Sequence, residues 1–112
     1  MARLAAFVIE LSEAEFQSQV TRLAETLGWD WMHVVTTGKG RHFPIRGTIG
    51  PGWPDLVLIK AERLLFVELK RERQTLDPLQ RQMMEKLVRT GAECYVWRPS
   101  DFAQLTEVLS NG

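Results

Sequence analysis

Apolar residues along this chain switch between a helical and an extended period, and the switches mark the elements. Phe16, Val20, Leu23 and Leu27 fall at helical spacing. Ser12 stands as N-cap, Glu15 follows at capping-box distance, and Leu11 is able to staple onto Phe16. Gly28 ends this first helix. Positions 29–36 read as a strand in which Trp31, Met32, Val34 and Val35 supply bulk. Two short apolar runs, 56–59 and 64–67, flank the polar Lys60-Ala61-Glu62-Arg63 and predict a β-hairpin. Asp77 as N-cap, Pro78 at the first helical position and Gln80 as capping partner open a second helix. Leu79, Met83, Leu87 and Val88 are its expected buried face, and Gly91 ends it. A strand at 93–97 places Tyr95 and Trp97 on one face, and Pro99 stops it. Ser100 or Asp101 then caps a last helix with Phe102, Leu105, Val108 and Leu109 inward. The order predicts one α/β domain over residues 1–112, a central mixed β-sheet flanked by helices.

The hairpin brings chemistry together. With an even number of residues in the turn, the pairing is symmetric about Ala61 and Glu62, and Asp55 comes to lie opposite Glu68. Opposed side chains on an antiparallel pair stand roughly 4.5–5.5 Å apart at Cβ, where like charges repel. Lys70, two positions beyond Glu68 and so on the same face, offsets that repulsion. Two carboxylates and an ammonium at one strand end suit a hard cation such as Mg²⁺ or Mn²⁺, with the lysine steadying the attacking water or the charge on a phosphate. A surface ion-pair cluster accounts for the same three residues. An odd-length turn shifts the register and separates Asp55 from Glu68, and Ala-Glu is not a favoured two-residue turn.

Composition narrows the setting. A formal net charge of zero and a pI near 6.7 give no global signature of a nucleic-acid binder, so any polyanion site is a local patch. Cys94 is the single cysteine, which excludes an internal disulfide and a thiolate zinc site and fits a reducing, cytoplasmic compartment. No stretch reaches membrane-spanning length. No P-loop, nucleophile elbow or dinucleotide fingerprint is present, so no nucleotide cofactor is expected.

The local patch lies in residues 37–52, which are glycine-rich, basic and free of acidic residues. Such a long loop inside a small domain is either functional or simply solvated and flexible. Its position directly before Asp55 favours function. Lys39, Arg41 and Arg46 are candidate phosphate contacts, and His42 is a loop or DNA contact rather than a metal ligand. Arg71 and Arg73 add positive charge after Lys70, tempered by Glu72 and Asp77. Glu15 and Gln80 each serve as capping partner or reach the site from a helix start. Trp53 caps the end of the core or stacks on a base.

Glu15 on a first helix, Gly52-Trp53-Pro54-Asp55-Leu56, Phe66-Val67-Glu68-Leu69-Lys70, and Gln80 on the next helix resemble the VRR-NUC (virus-type replication-repair nuclease) family of the PD-(D/E)xK superfamily, in its small stand-alone form. The resemblance implies a restriction-endonuclease-like core and a divalent metal, Mg²⁺ or Mn²⁺, held by Asp55, Glu68 and the Leu69 carbonyl. Glu15 would bind that metal directly or through water, Lys70 would orient or polarise the attacking water, and Gln80 would support the site. It implies hydrolysis of DNA phosphodiesters in replication, recombination or repair, in a bacterial or phage-infected cytosol. Small members resemble Holliday-junction resolvases that work as homodimers on branched DNA. Apolar residues in the 4–9 run are the expected part of the dimer surface. A nuclease for flaps, nicks or single strands, or a DNA-binding module that does not cut, are the alternatives.

Overall fold

The computed structural model describes residues 10–35 and 46–111. Among the described residues seven regular elements follow one another: α1 (Glu13–Thr26), β1 (Asp30–His33), β2 (Leu56–Lys60), β3 (Arg63–Leu69), α2 (Pro78–Arg89), β4 (Glu93–Trp97) and, after a 3₁₀ turn at Pro99–Asp101, α3 (Phe102–Ser110). The strands form one mixed sheet in the order β1-β2-β3-β4, antiparallel except for β3 and β4, which run parallel. Parallel neighbours need a crossover, and α2 supplies it.

Both long helices start where their side chains satisfy the free backbone amides. Ser12 and Glu15 form a reciprocal capping box on α1, and Asp77 and Gln80 form another on α2 with Pro78 in the first turn. The main core lies on one face of the sheet, where Leu56, Leu58, Leu65, Val67, Leu69 and Trp97 pack against Phe16, Val20 and Ala24 of α1 and Leu105 and Leu109 of α3.

Two expectations about packing change. On α2 the buried residues are Met83 and Met84, whereas Leu79 and Val88 are 49% and 55% exposed. The helix covers the sheet with a narrow part of its apolar stripe. In β1 the bulky Trp31 and Met32 are exposed along with Val35, because β1 is an edge strand, and Trp29, just before it, enters the core instead.

Side chains at the turn end of the hairpin tie the helices to the sheet. Lys60 Nζ donates to the Leu27 carbonyl at the end of α1 (2.7 Å), and Arg63 Nη1 donates to the Val108 carbonyl of α3 (3.1 Å). Trp29 Nε1 donates to the Leu109 carbonyl (2.9 Å). These donors satisfy carbonyls that the last helical turns leave free. The Arg63 guanidinium also pairs with Glu93 and lies 5.2 Å from the centre of the Trp29 ring. Replacing Arg63 with Ala is expected to lower the free energy of unfolding by about 2–3 kcal/mol through loss of the carbonyl bond, the ion pair and the ring contact, measured by urea denaturation.

Candidate active site

The hairpin register decides the geometry. Leu56 pairs with Val67 and Lys60 with Arg63, so the turn is the two residues Ala61 and Glu62, and Asp55 meets Glu68 at the open end. Side chains alternate along β3, so Leu65, Val67 and Leu69 enter the main core while Phe66 and Glu68 project to the opposite face. Trp53 packs edge-on against Phe66 on that face, ring centres 5.5 Å apart, and so closes the end of the sheet.

Asp55 and Glu68 are interlocked. The Asp55 amide donates to Glu68 Oε1 (3.1 Å), and the Leu69 amide donates to Asp55 Oδ2 (2.8 Å). The Asp55 carbonyl accepts from the Val34 amide (2.8 Å) and lies 3.3 Å from His33 Nδ1. Glu68 is only 1% exposed and Lys70 only 6%. Burying a carboxylate is costly unless every oxygen is matched, yet Glu68 Oε2 is buried and has no hydrogen-bond partner among the described residues. Burial, then the neighbouring Asp55 carboxylate, pushes the Glu68 carboxyl up to about 9, against the opposing pull of Lys70.

The remaining candidates divide. Glu15 is exposed, its Oε1 accepts from the Ser12 amide (2.9 Å), and that bond holds its carboxyl below the usual range. It lines a cleft of about 500 Å³ with Ser12, Arg71, Arg73 and Gln74, next to the strand end that carries Lys70. Gln80 is engaged with Asp77 in the α2 capping box. Among the described residues no set of three His, Cys, Asp or Glu side chains converges to hold a metal ion, so the centre is the Asp55–Glu68 pair. Arg46, Arg71 and Arg73 are exposed, while Lys39, Arg41 and His42 lie outside the described residues, as does the 4–9 run.

Residues 41–101, more than half of the chain, match the family model of the VRR-NUC domain. The chain belongs to the VRR-NUC family. Its fold is similar to a solved VRR-NUC domain structure, with 26% identity, a TM-score of 0.65, and 87% of this chain and 92% of the other covered. It is also similar in fold to the Archaeoglobus fulgidus Hjc, a Holliday junction resolvase from an archaeal hyperthermophile, with 21% identity, a TM-score of 0.53, and 77% and 69% of the two chains covered. No curated protein matches the sequence. The mixed sheet with flanking helices is thus the restriction-endonuclease-like core, and family membership supports a nuclease.

In this VRR-NUC domain the parts played by His33 and by Gly52 of the quoted motif escaped the sequence. His33 sits beside Asp55 because β1 pairs with β2 there, a long-range pairing that leaves no local signal. Gly52 carried a weak signal as one of several glycines before Asp55. Its φ of +96° lies in the left-handed region, and a Cβ there would stand 2.7 Å from the Leu79 carbonyl carbon and closer still to its oxygen. The chain entering Asp55 therefore rests directly on the first turn of α2.

Gly52→Ala is expected to destabilise the fold by roughly 2–4 kcal/mol, from left-handed strain and the overlap with α2, visible as a lowered melting temperature. Glu68 gives a pH signature. Its folded-state carboxyl titrates above the ordinary value of 4.5, so the folded protein keeps a proton that the unfolded chain releases. Its contribution to stability is therefore full below that value and falls as pH rises toward about 9. In metal-free buffer Glu68→Gln is expected to match the wild-type melting temperature near pH 4 and to exceed it increasingly through pH 8.

Proposed function

We propose that this VRR-NUC domain is a divalent-metal-dependent, structure-selective DNA endonuclease of the resolvase type, acting on branched DNA in the cytosol. The observation that carries the reading is the Asp55–Glu68 pair, Asp55 half-buried and Glu68 buried, with Glu68 Oε2 unpartnered among the described residues and the buried Lys70 beside it. A carboxylate pair inside a small domain weakens the fold unless something positive completes it. The donors present are all oxygens, which fits a hard cation such as Mg²⁺ or Mn²⁺.

Asp55 and Glu68 would hold that cation, with the Leu69 carbonyl as a third oxygen. The bound ion supplies Lewis acidity, lowering the pKa of water and neutralising charge on the scissile phosphate. The protein's own part is positioning. The Leu69 amide fixes Asp55 Oδ2 and the Asp55 amide fixes Glu68 Oε1, so each carboxylate keeps its other oxygen free for the site. Lys70, anchored through its amide to the Trp97 carbonyl (3.0 Å), presents its ammonium where it orients the attacking water and meets negative charge developing on the phosphate. Glu15, which lines the adjacent cleft, would bind the cation directly or through water. Gln80 supports the site from the α2 start, where it keeps the first turn firm beneath Gly52.

Arg46, Arg71 and Arg73 are the described cations assigned to DNA phosphates, together with Lys39, Arg41 and His42 of the glycine-rich loop. A homodimer would set two such centres against the two strands of a junction. The Hjc neighbour is a Holliday junction resolvase, which supports branched DNA as the substrate class.

The test is cleavage of labelled four-way junction, flap, nicked duplex and single-stranded DNA with Mg²⁺ or Mn²⁺. Paired symmetric nicks in the junction are expected. Lys70→Ala and Asp55→Asn are each expected to lose about 10²-fold or more in rate while binding DNA as before. Cutting confined to flaps or single strands would move the substrate, and binding without any cutting would make the domain a DNA-binding module.

A further inference from the structure

The segment joining β3 to α2 is short, polar and unusually well anchored for a loop. Arg71 and Gln74 close a turn on each other: the Gln74 amide donates to the Arg71 carbonyl (3.1 Å), and the Arg71 amide donates to Gln74 Oε1 (3.3 Å). Arg98 then clamps this turn from the far side. Its Nε and Nη2 both donate to the Gln74 carbonyl (3.1 and 2.7 Å), and its own amide is held by Asp101 Oδ2 (2.8 Å). A second tie comes from the Ser100 amide, which donates to Glu72 Oε1 (2.9 Å). The turn is thereby fixed to the segment that leaves β4, the strand on which Lys70 is also anchored.

What the clamped turn presents is positive charge. Arg71 and Arg73 are exposed, line the cleft beside Lys70, and have no ion-pair partner among the described residues. Three acids share the cleft with them: Glu72 accepts from the Ser100 amide, Glu15 accepts from the Ser12 amide, and Glu10 stands at its edge. Two long cationic side chains bind a phosphate chain more tightly when their backbone is already ordered, because that ordering no longer has to be supplied on binding.

We propose that Arg98 is a positioning residue for nucleic-acid binding. Through the Gln74 carbonyl it holds the Arg71–Gln74 turn so that Arg71 and Arg73 grip the phosphates flanking the one that Lys70 addresses. This rests on the nuclease reading for the substrate class and goes beyond it in naming the device. The guanidinium fork, with two donors on one carbonyl, suits the role, and a lysine cannot reproduce it.

The experiment is equilibrium binding of a labelled four-way junction and a duplex in chelator, where no cutting occurs. It compares the wild type, Arg98→Ala, Arg98→Lys, Arg71→Ala/Arg73→Ala and the triple variant. Arg98→Ala is expected to weaken binding about 5- to 10-fold. Arg98→Lys is expected to keep most of that loss despite keeping the charge. Adding Arg98→Ala to the Arg71→Ala/Arg73→Ala background is expected to cost nothing further. In cleavage assays the Arg98→Ala effect is expected in KM rather than kcat.

Unchanged binding by Arg98→Ala, full recovery by Arg98→Lys, or a loss that adds to that of the double variant would overturn the proposal, the last by showing that Arg98 touches DNA itself. Arg98→Lys carries the comparison alone if Arg98→Ala does not fold. A wild type that binds no DNA overturns it too. Binding without cleavage in Mg²⁺ or Mn²⁺ removes the nuclease reading and leaves this one standing.

Discussion

The pairing of β2 with β3 across a two-residue turn puts Asp55 and Glu68 side by side, and most of the molecule is arranged to tolerate that contact. Because side chains alternate, the same register sends Leu65, Val67 and Leu69 into the core and leaves Glu68 and Lys70 on the opposite face. Shifting the ladder by one residue would exchange the two sets, losing the core and the site together. The fold and the chemistry are therefore held by one constraint. Backbone amides of Asp55 and Leu69 latch the carboxylates to each other's strands, and the parallel strand β4 secures Lys70 through Trp97.

That arrangement carries a cost. A buried carboxyl that titrates near 9 beside another carboxylate is an unfavourable element of a small domain, offset by the apolar packing on the far face. The site is also rigid by construction. Gly52 seats the approach to Asp55 on α2, α2 is held by its own capping box, and Arg98 pins the exit from β3. Side chains supported in this way keep their geometry before any ligand arrives.

What could be read from the sequence was local or periodic. Ser12 with Glu15 and Asp77 with Gln80 are contained within four residues, so both helix starts were legible. The hairpin register followed from period two and an even turn, although Ala-Glu gave no turn signal of its own. The face of α2 was read only in part: Met83 is buried and Leu87 half-buried, but Leu79 and Val88 of the same stripe are exposed and Met84 is buried instead. Trp31 and Met32 read only as the bulk of a strand, and their exposure was not legible because an edge strand and a central strand share the same composition. Arg98 reaches the Gln74 carbonyl across 24 residues, and no spacing rule carries such a contact.

The turn itself has a bearing on how the chain assembles. Ala61 sits at φ +53°, a left-handed conformation that an L-residue with a Cβ adopts at about 1 kcal/mol or more. A hairpin closed by Asn-Gly favours its turn before any partner arrives; this one does not. Its turn becomes favourable when Lys60 and Arg63, on either side of Ala61 and Glu62, dock onto the ends of α1 and α3. Turn closure and helix docking are therefore thermodynamically coupled, and the same two helix ends help hold the register that sets Asp55 against Glu68.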